Sequence, residues 1–324
     1  MTATFRKQTR REFVQTAAAG VTTLVGAASV SASTTQKAEV KMFKNLGCGH
    51  IGVEANQKEA IEYAAKFGFG GASPDVGELE RMSAGQRREI TARLNEKGLR
   101  WGASGLPVEF RRDEDRYRKD IEGLPKRAEV LREMGVTRVS TWIMPGHETL
   151  TYLANFEQHR RRLESAARIL NDEGIRLGLE FVGPRDTRKR FRFAFVCTQA
   201  EMLELCNAIG TGNVGLLLDS WHWHTSHGTV DELIQLTNEM IIEVHVNDAP
   251  KGIPTDELRD ARRALPLSTG VIDLKAFMNV LYRIGYDGPI TCEPFDDELR
   301  KMDNEQALQK TIDALNRLFD LIET

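Results

Sequence analysis

Cysteine is scarce. The chain of 324 residues has four, Cys48, Cys197, Cys206 and Cys292, and none forms a CxxC pair. That excludes a disulfide framework as the organising device and argues against a thiolate zinc site. Cys197 and Cys206 could bridge in an oxidising compartment, but buried free thiols are the preferred reading. Neither sign of charge dominates, with 44 Lys and Arg against 47 Asp and Glu. The basic footprint that nucleic acid requires is therefore missing. No GxGxxG or GxxxxGK[ST] follows the first apolar run, so neither a dinucleotide site nor a P-loop is announced. Low-complexity segments, internal linkers and short repeats are also lacking. With 41% hydrophobic and 28% charged residues, the composition is that of an ordinary globular chain.

The first forty residues stand apart. Arg6, Lys7, Arg10 and Arg11 form a basic region, and Thr16 to Val30 is a weakly apolar stretch, too short and too rich in Ala and Gly to span a bilayer. Val30-Ser31-Ala32 offers small residues for cleavage. The segment TRREFVQ, Thr9 to Gln15, resembles the twin-arginine export signal, which a receptor reads and which is not an anchor. The expectation is a signal over 1–32, a linker over 33–40, and one catalytic domain over 41–324, exported to a bacterial periplasm without a stable membrane anchor. Such export carries folded proteins, which suits an enzyme that takes up its metal in the cytoplasm.

From Lys41 onward, short apolar runs alternate with amphipathic stretches. The runs Phe43–Leu46, Gly70–Ser73, Arg100–Ala103, Arg138–Ile143, Leu177–Phe181, Val214–Asp219, Ile241–Val246 and Pro289–Glu293 read as strands buried on both faces. Between them lie helical patterns, among them Gln57–Phe67, Ala84–Lys97, Arg116–Met134, Tyr152–Glu173, Gln199–Ile209, Thr229–Leu236, Asp273–Ile284 and Asn304–Ile322. Most are followed by glycine, the usual stop. Eight strands each followed by a helix predict an α/β fold, a single (β/α)8 TIM barrel with right-handed crossovers. The rival is an open doubly wound sheet. Two segments, Gly183–Cys197 and Asn247–Gly270, read as long loops of the binding or lid kind.

In a barrel, the C-terminal ends of successive strands converge on one rim. Glu180 falls near the end of the fifth strand and Asp219 at the end of the sixth. His245 falls near the end of the seventh, and Glu293 at the end of the eighth. Any one of them alone reads as a helix cap, an ion-pair partner or a core histidine. Four on neighbouring strands do not, because three buried carboxylates would repel and suffer desolvation unless a cation neutralised them. Oxygen-rich ligation with one nitrogen favours Mn2+, with Mg2+, Co2+ and Zn2+ also admissible.

On these residues the chain resembles the sugar phosphate isomerase/epimerase family of xylose-isomerase-like TIM barrels, which includes the D-tagatose and D-psicose 3-epimerases. The resemblance implies that Glu180, Asp219, His245 and Glu293 hold one divalent cation. It also implies that His222 in DSWH and Arg263 in RALP contact substrate. Glu180 and Glu293 then form a catalytic pair that moves a proton next to a carbonyl through an enediolate, on a ketose or sugar derivative. Trp221 is read as a stacking wall for a sugar ring, with Trp223 more simply explained by packing. His224 and His227 are bystanders rather than ligands of a second metal, and His50 and His147 are rim candidates. The buried charge of Glu243 is left without a partner, and the basic run Arg185–Arg192 reads as a solvated face.

Expected partners are a small-molecule sugar and the export machinery, with no nucleic acid and with room for a homo-oligomer. A metal-dependent lyase or dehydratase on a keto-sugar, keto-glycoside or inosose is the first alternative. A metal-dependent nuclease is disfavoured by the charge and by the lack of further ligands on the early strands. The non-enzyme alternative is a periplasmic sugar-binding protein.

Overall fold

A computed structural model describes residues 39–324. The expected export signal, and most of the linker after it, lie outside the described residues. The strands, numbered here in chain order, are β1 Phe43–Leu46, β2 Gly71–Ala72, β3 Arg100–Trp101 continued by Ser104–Gly105, and β4 Arg138–Trp142. They are followed by β5 Arg176–Glu180, β6 Val214–Asp219, β7 Ile241–Val246 and β8 Pro289–Cys292. All pair in parallel within one sheet, in the order β3, β2, β1, β8, β7, β6, β5, β4.

The sheet closes through β3, which is interrupted. Arg100–Trp101 pairs with β2, whereas Ser104–Gly105 pairs with β4. At the interruption, a Cβ on Gly102 would stand 2.5 Å from the Asn45 side chain, so only glycine lets the chain pass this close to β1. The expected TIM barrel is the architecture found.

Helices on the outside explain why the strands read as continuous apolar runs. Leu177, Leu179, Leu216, Leu218, Val244 and Ile290 are fully buried and, by strand alternation, face the helices. Burying each is worth about 1.5–3 kcal/mol. The helices begin and end as their sequences predict. Asn56 and Glu59 form a reciprocal capping box at the start of Gln57–Phe67, and Gly68 ends that helix at φ 80°. Longer helices, Glu114–Glu133, Tyr152–Asp172 and Asn304–Phe319, wrap the same layer.

The inner face is polar beneath the rim. Asn45 donates to Ser73 Oγ and Thr291 Oγ1, both at 2.9 Å, and Ser140 Oγ donates to Glu243 at 2.6 Å. A barrel interior filled only with branched apolar residues would leave no partner for Glu243.

Several local readings change. The stretch after Asp219, where the sequence pattern predicts no element, coils at once into a short helix, Ser220–Thr225. The segment Gly183–Cys197 contains a helical turn, Arg185–Arg188, and Phe193–Ala194, which pairs antiparallel with Gly146–His147. Within Asn247–Gly270, a 3-10 turn at Thr255–Glu257 and a bridge between Asp248 and Ala264 give order. The expected helix over Thr229–Leu236 shortens to Val230–Leu233. All four cysteines are free; Cys206 and Cys292 are buried, whereas Cys48 and Cys197 are half-buried.

Candidate metal centre

The last residues of β5 and β6, the penultimate residue of β7 and the residue after β8 assemble one cluster. Asp219 and His245 are register partners across β6 and β7, and His245 in turn pairs with Thr291, two residues before Glu293. Glu180 closes the set from the far side of β6. One ligand atom from each of Glu180, Asp219, His245 and Glu293 lies within 4.8 Å of the others, and all four residues are buried. The structure thus brings together the four residues singled out in the sequence.

Their hydrogen bonds are unequal. Asp219 Oδ1 accepts from Trp221 N at 2.7 Å and from Asn247 Nδ2 at 2.9 Å. Arg263 Nη1 donates to Asp219 Oδ2 at 2.7 Å and to Glu293 Oε2 at 2.8 Å, so one guanidinium nitrogen joins two carboxylates. His50 Nδ1 lies 2.8 Å from the other Glu293 oxygen. By contrast, Glu180 Oε1 and His245 Nδ1 are buried with no protein partner. They face one another at 3.8 Å, and His245 Nδ1 is 3.5 Å from Glu293 Oε2.

The other nitrogen of His245 explains Glu243. His245 Nε2 lies 3.4 Å from Glu243 Oε1, and Ser140 and Thr291 donate hydroxyls to the same carboxylate. A β-bulge between Ile241 and Glu243 adjusts the register of β7 against β6 at this point. Glu243 therefore holds the Nε2 proton and turns Nδ1 toward the cluster, so that a neutral ring would aim its lone pair there, the arrangement by which a carboxylate fixes the tautomer of a ligating imidazole. This accounts for the charge that the sequence left unexplained.

The carboxylates are pushed apart in protonation. Burial, together with the charges of Glu293 and Asp219, holds Glu180 well above the usual carboxylate range. Burial works the same way on Glu293, but His245 and Arg263 outweigh it and hold that carboxyl well below the range. His245 is disfavoured as a cation by burial, yet Glu293 and Glu243 raise it well above an ordinary histidine. A carboxyl that keeps its proton facing one that stays ionised is the pairing found where acid and base roles are divided.

Around this set, His222 has both ring nitrogens facing donors, Nδ1 lying 3.3 Å from Gly183 N and Nε2 3.3 Å from Arg263 Nη2, while Nε2 is also 3.9 Å from Glu180 Oε1. Burial lowers its pKa to about 3. Trp221 is corrected. It is fully buried and presents no face for a ring to stack on; its indole lies beneath the Arg263 guanidinium, 5.4 Å away.

Arg263 is held from its other side by the Phe295 ring at 4.3 Å. Phe295 adopts φ 38°, a conformation that costs a bulky residue of the order of 1–3 kcal/mol and that is usually kept only where the surroundings demand it. His227 pairs with Asp256 at 3.0 Å, and neither it nor His224 belongs to a metal-ligand group among the described residues.

Two contributors escaped the sequence reading: Asn247 and Phe295. Asn247 had a signal, since NDAP follows directly on the His245 strand. Phe295 had none, because its role depends on a backbone conformation.

The donor set fits a divalent cation. Arg263 neutralises one side of the cluster, while Glu180 Oε1 and His245 Nδ1 remain two buried atoms without a hydrogen-bond partner, which a divalent cation held by the set would satisfy. The fold and cluster define a TIM barrel with a carboxylate-rich rim site. Comparison with known proteins agrees: residues 61–318 match the xylose isomerase-like TIM barrel family, and the chain belongs to it.

Among curated relatives, the inosose isomerase of Bacillus subtilis (strain 168) is 32% identical over 153 residues, 46% of this chain and 51% of that one. The ketose 3-epimerase of Arthrobacter globiformis is 26% identical, covering 55% of this chain and 56% of that one. The 3-dehydroshikimate dehydratase of Pseudomonas aeruginosa is 26% identical, covering 57% of this chain and 28% of that one. The chain thus spans about half the length of the first of these relatives.

Among solved structures, a xylose isomerase domain protein from Alicyclobacillus acidocaldarius superposes with TM-score 0.76 at 28% identity, covering 86% of this chain and 99% of that one. The IolI protein with a bound zinc atom superposes with TM-score 0.73 at 22% identity, covering 87% and 100%.

Proposed function

We propose that the protein is a divalent-metal-dependent isomerase or epimerase that transfers a proton within a ketose or a related sugar derivative. The observation that carries this reading is the pair of buried, unpartnered atoms, Glu180 Oε1 and His245 Nδ1, inside a four-residue donor set. Glu180, Asp219, His245 and Glu293 would hold the cation, Mn2+ first among candidates for an oxygen-rich set with one nitrogen. The cation would polarise the carbonyl and adjacent hydroxyl of the sugar. Relatives that act as inosose isomerase and ketose 3-epimerase support the class.

The chain's own residues divide the remaining work. Glu180 and Glu293 stand on β5 and after β8, on either side of β6 and β7, so that each can face one side of a bound sugar. One takes the proton from the carbon next to the carbonyl, and the other returns a proton. Arg263 and His222 place positive and polar hydrogens toward the oxygen on which negative charge grows.

The dehydratase relative supports a second reading, in which the same proton abstraction is followed by loss of a β-hydroxyl or an alkoxide. Incubation of the Mn2+-loaded protein in D2O with a panel of ketoses, inososes and keto-glycosides separates these cases. Deuterium next to the carbonyl with carbon skeleton and substituents retained supports isomerisation or epimerisation. An unsaturated product supports elimination, and no exchange with any member favours a sugar-binding protein. The proposal includes export through Thr9 to Gln15, which fractionation of cells carrying the Arg10→Lys, Arg11→Lys chain would test by retention in the cytoplasm.

A further inference from the structure

Beside the metal centre, on the same face of the barrel, lies a separate cavity of about 300 Å³ whose lining includes Trp142, Arg111, Met144, His159 and Phe191. That volume is at the lower end of pockets that hold a small molecule, roughly 300–1,000 Å³. Trp142 links it to the rim site. It is the register partner of Glu180 on the adjacent strand, and neighbouring strands lie about 5 Å apart. Strand alternation puts its indole on the inner face, above Ser140, and it is 40% exposed although it sits at the rim of the core.

Both walls are built rather than incidental. Buried Arg162 donates to the carbonyls of Phe110 and Arg112, each at 2.7 Å, and so clamps the chain on both sides of Arg111. Arg111 then donates to Thr141 Oγ1 and Trp142 O, with its guanidinium between the rings of Phe110 and Trp142 at 4.6 and 4.4 Å. On the other wall, Phe191 packs directly on the backbone of Gly146, where a Cβ would come within 2.5 Å of it.

The polar groups specify the ligand's chemistry. His159 Nδ1 lies 2.9 Å from the carbonyl of Asn155, which can only accept, so the ring proton is on Nδ1 and Nε2 keeps a bare lone pair. That Nε2 and Asn155 Oδ1 are buried acceptors without a protein partner. Two waiting acceptors call for hydroxyl donors. Glu109 and Arg111 already pair at 3.1 Å, so no net charge is left to select an ion. An indole face beside hydroxyl acceptors suits the apolar face and hydroxyl edge of a sugar ring.

We infer that this cavity is a second subsite, which takes a neutral, hydroxyl-bearing ring joined to the ring that reacts at the metal centre. The substrate is then a two-ring keto-sugar derivative rather than a free monosaccharide. This rests on the proton-transfer reading for what happens at the first ring, but the subsite can be tested without turnover.

Calorimetric titration of the Mn2+-loaded full chain with glucose, maltose, cellobiose, trehalose and phenyl β-D-glucopyranoside reads it directly. At least one disaccharide should bind about tenfold more tightly than glucose, the gain typical of one additional well-packed ring contact. Trp142→Ala and the cavity-filling Met144→Trp should each abolish the gain while leaving glucose affinity unchanged. Equal affinity for glucose and every disaccharide, a gain confined to the phenyl glucoside, no binding of any two-ring sugar, or a gain that survives both variants would overturn the inference. If the disaccharide gain holds while no keto-sugar exchanges deuterium, the subsite stands and the catalytic reading falls.

Discussion

His245 and Glu243 share one face of β7, with Nε2 of the ring 3.4 Å from Oε1 of the carboxylate, while the ring's Nδ1 faces Glu180 and Glu293 without a partner. The imidazole is thereby oriented before any cation arrives.

Glu243→Gln keeps the shape but weakens the pull on the Nε2 proton and makes the ring a poorer donor at Nδ1. Mn2+ affinity measured by calorimetry should fall roughly 10–100-fold, the usual cost of losing such a partner. Affinity equal to that of the unsubstituted protein would assign Glu243 to packing alone.

Glu180→Gln and Glu293→Gln should each reduce deuterium exchange by about 10²–10⁴-fold, the span typical of a lost acid or base. Because both residues are also proposed ligands, exchange must be measured at Mn2+ concentrations that saturate each variant. If exchange is restored at saturation, the two carboxylates are ligands only.

Arg263 Nη1 occupies oxygens of both Asp219 and Glu293, so it would compete with a cation for them in addition to its proposed role toward substrate. Arg263→Ala should lower turnover by about 10²–10³-fold, comparable to loss of one oxyanion donor. The same change should strengthen Mn2+ binding, because a buried positive charge is removed from two ligands. Weaker binding in the titration would show instead that the guanidinium holds the carboxylates in place.

The pH dependence follows from the shifted groups. His245 and Glu180 both bind protons more tightly folded than unfolded, so their stabilising effect is full below their ordinary values, about 6.5 and 4.3. It is lost as pH rises through the raised folded values. Glu293, held low, acts the opposite way and withdraws stability only in acid. In EDTA, the melting temperature should therefore decline as pH is raised above about 6.5. Saturating Mn2+ should remove that decline, because cation binding displaces the same protons. A melting curve in EDTA that is flat from pH 6 to 9 would contradict the assignment.

The four-residue cluster was legible in the sequence because strand ends are where buried apolar runs stop, and Glu180, Asp219, His245 and Glu293 each stand at such a stop. The orientation of side chains was not. Trp221 looks like a ring-stacking residue from its neighbours, yet strand β6 turns at once into a helix that buries it. Trp142 gives the opposite case, since its place beside Glu180 depends on strand register. Gly102 fell inside an expected strand, Arg100–Ala103, whereas it marks the break at which the barrel closes. Residue type and spacing predict which groups reach the rim, but rotamer and loop path decide which of them meet.

The divided third strand has a consequence for how the molecule moves. Its two ladders, to β2 and to β4, are only two residues long each, as is the ladder between β1 and β2, whereas neighbours from β5 to β8 pair over three or four residues. The barrel therefore has a seam, and the ligand-bearing strands lie away from it. Short ladders open at lower free energy than long ones. The wall can breathe along β3, while the opposite wall keeps the four side chains of the cluster in register.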